Sequence, residues 1–355
     1  MDVFDRISSY GHEQVVFCSD PATGLRSIIA VHDTTLGPGL GGVRMWPYPD
    51  DEAALTDVLR LSQGMTYKAA VAGLHFGGGK SVIIGDPATD KTEALLLAHA
   101  RFIQTLGGRY IPGVDVGTSK ADMEVMKAEA RRVFAGSSDP SPMTALGVFE
   151  TIKACARSAL GTDELGGVRV AVQGVGHVGE ALVRLLAAEG AKITVADVAA
   201  DRATALAADV GADVVAPDEI VGTECEVFAP CALGGVVNDD TLPRFRCKIV
   251  AGGANNVLAE PRHADELDSA GILYAPDYVA NGGGMIQLAC ESTGEDMDRI
   301  RARVRAIGET VTKVIESARA EGINTAQAAD RLAERRIEAA RRVGPRYVAG
   351  GTARD

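Results

Sequence analysis

The stretch VRVAVQGVGHVGEALVRLLAAEGAKITVAD, residues 168–197, decides the fold. VRVAVQ (168–173) has the β-branched alternation of a strand, GVGHVG (174–179) follows, EALVRLLAAEG (180–190) continues as a helix, and KITVAD (192–197) is a second strand ending on Asp197. A G-x-G-x-x-G turn between strand and helix, with an acidic residue eighteen positions later, is the pattern by which a βαβ unit holds a dinucleotide. Gly174 permits the tight turn, Gly176 lets a pyrophosphate approach the backbone, and Gly179 lets the helix pack closely on the strand. Val175, His177 and Val178 complete the turn and count as candidate cofactor contacts. Asp197 is expected to accept hydrogen bonds from the adenosine ribose hydroxyls. Its charge would repel a 2′-phosphate, so NAD is expected in preference to NADP.

Downstream, CEVFAPCALGG (225–235), CKIVAGGANN (247–256) and GILYAPDYVANGGG (271–284) each run from apolar residues into a small or polar cluster. Open parallel sheets bind ligands at the carboxyl ends of their strands, which is where Pro230, Cys231, Asn255 and Asn281 fall. Cys231 also reads as a small core residue, and Asn255 and Asn256 as turn formers. After about residue 285 the chain reads as predominantly helical.

Upstream, QVVFC (14–18) and LRSIIAVH (25–32) read as a hairpin, and Leu55, Val58, Leu59, Met65 and Ala69 recur at helical spacing after an Asp50 or Asp51 cap. Lys68 lies on or beside that apolar stripe, either snorkelling from its edge or aimed into a cleft. GLHFGGGKSVIIGDP (73–87) invites a phosphate-loop reading that fails on two counts. The spacing from Gly73 to Gly79 is one residue too long, and a strand rather than a helix follows Lys80. The glycines are therefore expected to let the backbone pass close to something while delivering Lys80 to it. EALLLAHARFIQTLGG (93–108) is an amphipathic helix, RYIPGVDVG (109–117) a strand closing on Asp115, and GSSDPSP (136–142) the candidate domain boundary.

At 355 residues the chain has room for two cores, and its net charge of −12 argues against nucleic acid and anionic membranes as partners. Its apolar runs fall short of the ~20 residues a membrane span needs, and no cationic, apolar leader precedes Phe4. Six cysteines without a C-x-x-C pair indicate free thiols and a cytoplasmic setting. The six histidines show no metal spacing, so no metal is expected.

Nine spaced motifs together resemble the Glu/Leu/Phe/Val amino-acid dehydrogenase family: LGPGLGGVRMWPY (36–48), LRLSQGMTYKAAVAG (59–73), FGGGKSVIIGDP (76–87), GRYIPGVDVGT (108–118), PSPMTALGVF (140–149), VQGVGHVG (172–179), FAPCALGGVVND (228–239), AGGANN (251–256) and YAPDYVANGGG (274–284). The resemblance implies an α/β protein of two domains with a cleft between them. The first, a substrate-binding, catalytic and oligomerisation domain with a mixed sheet, spans 1–138 and is completed by about 320–355; the second, a Rossmann domain for NAD, spans 139–319. It implies a homo-oligomer and reversible oxidative deamination of an L-amino acid to a 2-oxo acid and ammonia. Carried over by position, Lys68 would bind the substrate carboxylate, Lys80 would act as general base through water, and Asp115 would exchange protons with the amino group. Leu40, Gly41, Gly42, Met65, Gly113, Asn255, Met285 and Leu288 would contact the substrate. Thr144, Pro230, Cys231, Ala232 and Asn255 would line the nicotinamide site.

A free lysine titrates near ~10.4, about 3 units above the working range of a general base. Burial, and Lys68 as a neighbouring like charge, are expected to lower Lys80. The glutamate branch carries a lysine where this chain has Leu40, so an apolar substrate side chain is expected. Gly113, where leucine and valine enzymes carry alanine, suggests room for a ring and favours phenylalanine, with leucine and valine as the alternative. A retired, NAD-binding regulator is the reading from a different class, and intact Lys68, Lys80 and Asp115 weigh against it.

Overall fold

The structure, a computed structural model, describes residues 3–134, 138–232 and 234–344. The chain forms two compact units, one of residues 1–137 with 333–355 and one of residues 138–332. The return to the first unit therefore comes inside the last helix. No helix among the described residues is long and apolar enough to cross a membrane.

The first unit runs α1 (Val3–Tyr10), β1 (Gln14–Asp20), β2 (Leu25–Asp33), β3 (Gly39–Trp46), α2 (Asp51–Val71), β4 (Gly77–Ile84), α3 (Glu93–Thr105), β5 (Tyr110–Val114) and α4 (Lys120–Met126). Its sheet has the order β1-β2-β4-β3-β5 and is mixed: β3 runs parallel to both β4 and β5, while β1 and β4 pair antiparallel with β2. The two faces follow from strand alternation. Ile28, Ala30 and Val82 point toward α2 and meet Ala54, Leu55, Val58 and Leu59, whereas Leu25, Ile29, Val31, Val43 and Ile83 turn to α3 and α4. Each such fully buried aliphatic side chain contributes roughly 1.5–3 kcal/mol. Asp50 caps α2 by accepting a hydrogen bond from the Ala53 amide at 2.7 Å. At the other end of that helix, Arg336 from the returning segment donates to the carbonyls of Ala70 and Leu74.

The glycines before Lys80 lie inside β4, and each faces the protein's own atoms. A Cβ at Gly77 would lie 1.9 Å from the Asp33 carbonyl oxygen, at Gly78 2.1 Å from Thr66 Oγ1, and at Gly79 2.5 Å from the Tyr110 ring. They let α2, β2 and Tyr110 crowd the strand that carries Lys80; no ligand is needed to explain them.

The second unit runs α5 (Ser141–Leu160), β6 (Arg169–Gln173), α6 (His177–Ala188), β7 (Lys192–Ala196), α7 (Ala200–Val210), β8 (Asp213–Val214), β9 (Val227–Pro230), β10 (Ile249–Val250), α8 (His263–Ser269), β11 (Leu273–Tyr274), α9 (Asp277–Ala280), α10 (Gly283–Ser292), α11 (Met297–Arg305), α12 (Ile307–Glu321) and the start of α13 (Thr325–Val343). Its six strands are all parallel in the order β11-β10-β9-β6-β7-β8. That is the doubly wound dinucleotide-binding order, in which the sequence direction reverses between β6 and β9. Helix α6 begins at His177, inside the glycine motif, earlier than the expected start at residue 180.

The first unit also buries a line of neutral polar groups. His99, fully buried, sits between Ser27 Oγ and Ser81 Oγ, each at 3.0 Å, and burial pushes its pKa down to about 3. His12, against Ser62 Oγ at 2.7 Å, is likewise lowered to about 3, by burial first and then by the neighbouring His32. These rings are neutral when folded but take up protons when unfolded. The stability they allow is complete above the ordinary histidine value of 6.5 and is lost as pH falls toward about 3, at roughly 1.4 kcal/mol per pH unit for each ring. The urea midpoint should therefore drop between about pH 7 and about pH 5, and His99→Asn should make that slope shallower. A midpoint flat over this range would contradict the assignment.

Candidate active site

In the first unit, β3 lies between β4 and β5, and Lys80 of β4 reaches across it to Asp115, the residue that follows β5. Lys80 Nζ and Asp115 Oδ2 are 3.0 Å apart. The crossing is open because Gly42 has no side chain: a Cβ there would lie 2.5 Å from Asp115 Cβ. Gly41 abuts β4 in the same way, with its Cβ position 1.8 Å from the Gly79 carbonyl oxygen and 3.3 Å from Met65 Cγ. The structure thus brings Gly41, Gly42, Met65, Lys80 and Asp115 together. Lys68 lies half-buried one turn beyond Met65 on α2; Leu40 is buried on β3, paired in register with Gly78 and Ile111, and Gly113 pairs with Gly42.

Burial of Lys80, only 6% exposed, is the main cause that lowers its pKa below the usual lysine range, against the opposing pull of Asp115. The like charge expected beside Lys80 was Lys68; the one that adds to the lowering here is Arg44, which the sequence reading did not name. For Asp115 burial acts upward, but Lys80 and Arg44 outweigh it and hold the carboxyl below the ordinary carboxylate value. A buried amine with weakened hold on its proton beside an ionised carboxylate is an arrangement suited to proton exchange.

Residues that carried no role in the sequence reading support this pair. Arg44 Nε donates to Asp115 Oδ2 at 2.9 Å and its Nη1 to Asp57 Oδ2 at 2.8 Å, where the Tyr48 hydroxyl also donates at 2.6 Å. The Tyr110 hydroxyl donates to the carbonyls of Gly41 and Gly42 at 3.0 and 3.1 Å and lies 3.2 Å from Ser81 Oγ, so the chain of polar groups from His99 ends on the strand that separates Lys80 from Asp115. The available sequence signal was an arginine as the one charged residue in GLGGVRMW.

In the second unit, Gly174 adopts φ +90°, and its Cβ position lies 2.8 Å from Ala232 Cβ. Gly179 presses on the Gly174 carbonyl, with a Cβ position 1.9 Å from it, while a Cβ at Gly176 would meet nothing within 4 Å. The open side at Gly176 and an α6 N-terminus without a side-chain cap suit a pyrophosphate. Asp197 Oδ2 accepts the Val175 amide and Oδ1 the Ala199 amide, both at 2.8 Å, with Arg202 3.3 Å away. Burial opposes its ionisation, but these donors hold it low. His177 is exposed, Val178 half-buried against Gly253, and Pro230 ends β9. Burial pushes the Cys231 thiol up to about 11, so it stays protonated and acts as a small neutral side chain. Asn255 Oδ1 accepts from Asn281 Nδ2 at 2.8 Å. Thr144 on α5 packs where α10 begins, 2.5 Å from the Cβ position of Gly284; Met285 is buried and Leu288 half-buried on that helix. The one group of potential metal ligands among the described residues, Asp239, His263 and Glu266, has the Arg262 guanidinium 2.7 and 2.6 Å from its two carboxylates. That guanidinium supplies the cation there.

Residues 12–132 match the Glu/Leu/Phe/Val dehydrogenase dimerisation domain, and residues 135–215 and 194–349 match the Glutamate/Leucine/Phenylalanine/Valine dehydrogenase domain. The chain is 50% identical over 357 residues to the leucine dehydrogenase of Bacillus cereus, covering 99% of this chain and 98% of that protein. It is 47% identical over 345 residues to the phenylalanine dehydrogenase of Thermoactinomyces intermedius, covering 95% and 94%. The crystal structure of L-tryptophan dehydrogenase from Nostoc punctiforme superposes with a TM-score of 0.88 at 44% identity, covering 96% of this chain and 100% of that one. On this similarity, and with the two α/β units that the family is expected to have, the chain belongs to the Glu/Leu/Phe/Val amino-acid dehydrogenases, oxidoreductases that act on CH–NH2 groups with a nicotinamide cofactor.

Proposed function

We propose that the protein catalyses the reversible, NAD-dependent oxidative deamination of a branched-chain L-amino acid, leucine foremost, to its 2-oxo acid and ammonia. The observation that carries this reading is the contact of Lys80 with Asp115 at 3.0 Å in a largely buried site. Lys68 holds the substrate carboxylate, and Asp115 accepts a proton from the substrate ammonium. Nicotinamide bound by the second unit supplies the hydride acceptor for the α-carbon. Lys80, as the neutral amine, takes a proton from water as that water attacks the resulting imine carbon. Lys80 then releases the proton it took from water to solvent and, neutral again, accepts the hydroxyl proton, while Asp115 returns its proton to the nitrogen and collapse of the carbinolamine releases ammonia and the oxo acid. Asp197 favours NAD, because a 2′-phosphate would meet its carboxylate. The match to a dimerisation domain supports self-association.

The substrate preference departs from the expectation of phenylalanine. That expectation rested on Gly113, taken as room for a ring. A Cβ there would meet the Phe134 carbonyl oxygen at 3.4 Å and Phe134 Cβ at 3.6 Å, ordinary contact distances. The absent methyl would lie against Phe134, so its absence is weak support for a larger substrate site, and 50% identity to a leucine dehydrogenase favours the branched-chain alternative. Leu40, 5% exposed, offers no partner for a glutamate side chain.

NADH formation with leucine, valine, phenylalanine and glutamate tests this: leucine should give the highest kcat/KM, glutamate none, and NADP should replace NAD poorly. Lys80→Ala and Asp115→Asn should each lose roughly 10²–10⁴-fold in kcat. Near wild-type turnover in either variant, or no oxidation of any hydrophobic amino acid by the parent, would overturn the proposal. Gly113→Ala should leave the ratio of leucine to phenylalanine activity nearly unchanged. A shift of about tenfold or more, the effect of one methyl group in a filled apolar pocket, would restore Gly113 as a determinant of specificity.

A further inference from the structure

Asp115 is held by two cations of different kinds. Lys80 Nζ at 3.0 Å and Arg44 Nε at 2.9 Å both contact Oδ2, and Oδ1 accepts no hydrogen bond from the described residues. A lysine can give up its proton; an arginine in a protein does not. If Lys80 were the carboxylate's only partner, deprotonating it would leave a largely buried anion unpaired, and the pair would resist that step. With Arg44 in place, Asp115 stays compensated whichever form Lys80 takes.

Arg44 is itself fixed on both sides. It is the one charged residue of β3, its side chain is 19% exposed, and Asp57 takes its other arm. Asp57 is shared with Tyr48 through Oδ2 and with Arg60 at 3.4 Å through Oδ1. The charges facing Lys80 and Asp115 thus form a line of alternating sign: Lys80, Asp115, Arg44, Asp57. Arg44 lies close enough to Lys80 to disfavour its protonation, while Asp57, beyond it, weakly favours protonation.

We propose that Arg44 is a positioning residue for the proton-exchanging pair: its permanent charge keeps Asp115 ionised with Oδ1 turned out for the substrate amino group, so that Lys80 is free to cycle between ammonium and amine. This rests on the reading of Lys80 as the base. It adds a residue that touches neither substrate nor cofactor and acts only through its neighbours.

The test is the pH dependence of kcat/KM for leucine oxidation in Arg44→Gln, Arg44→Lys and Asp57→Asn. The same variants are followed by the pH dependence of Lys80 acylation with acetic anhydride, mapped by peptide mass spectrometry. Arg44→Gln should move the acidic limb, and the onset of acylation, upward by about one pH unit, the size expected from one charge at this range. Arg44→Lys, which keeps a cation without the two-armed geometry, should move it less. Asp57→Asn should move it downward, because Arg44 then acts unopposed. Shifts of opposite sign from two neighbours cannot come from general damage to the fold. An unmoved limb in Arg44→Gln, or shifts of the same sign in Arg44→Gln and Asp57→Asn, would overturn the proposal. If Arg44→Gln does not fold, an upward or absent shift in Asp57→Asn does so alone. Failure of the catalytic reading would look different: the parent would not oxidise leucine, while Lys80 acylation would still respond to Arg44.

Discussion

A lysine amine and a carboxylate are placed 3.0 Å apart where little water reaches them, and most of the first unit's local architecture exists to hold them there. Each charge would be costly to bury alone, and together they are stable only with further partners. Arg44 is that partner, and Asp57, Tyr48 and Arg60 in turn compensate Arg44. The glycines follow from the same constraint. Gly42 must lack a side chain for Asp115 to lie across β3, and Gly77 to Gly79 must lack them for α2 and Tyr110 to close over the strand that carries Lys80. What stabilises the unit and what we propose exchanges protons are one network.

The two units solve different problems and use sequence differently. The candidate dinucleotide site of the second is local: strand, glycine turn, helix and second strand lie within thirty consecutive residues, and even the long-range bond from Asp197 to the Val175 amide stays inside that βαβ unit. Such a site is legible because each residue's job is set by its neighbours in the chain. The site of the first unit is assembled from β3, α2, β4 and the end of β5, with partners such as Arg44 and Asp115 separated by 71 positions. Nothing local marks them as neighbours.

That difference accounts for what could be read in advance. The Rossmann unit, the mixed first sheet, the cap at Asp50 and the delivery of Lys80 by a strand all follow from periodicity, turn chemistry and the family motifs. Arg44, Tyr48, Asp57 and the Tyr110, Ser81, His99 chain did not, because their meaning depends on pairing between strands far apart in sequence. Gly113 shows a related limit: a missing methyl enlarges a substrate site only if it points there, and a Cβ at this position would lie at contact distance from Phe134, which the sequence does not show. The glycines before Lys80 looked like an approach path for a ligand and proved to be seats for the protein's own helix and ring.

The central claim is that the fold makes Lys80 a weak holder of its proton while Asp115 remains ionised beside it. Carbon-13 labelling of lysine side chains, with the Lys80 signal assigned by its loss in Lys80→Arg, allows a direct titration by NMR. The account predicts a Lys80 midpoint below the ordinary lysine value of 10.5, with the Asp115 carboxylate titrating below its ordinary 3.8. A Lys80 signal that titrates with the surface lysines would contradict it.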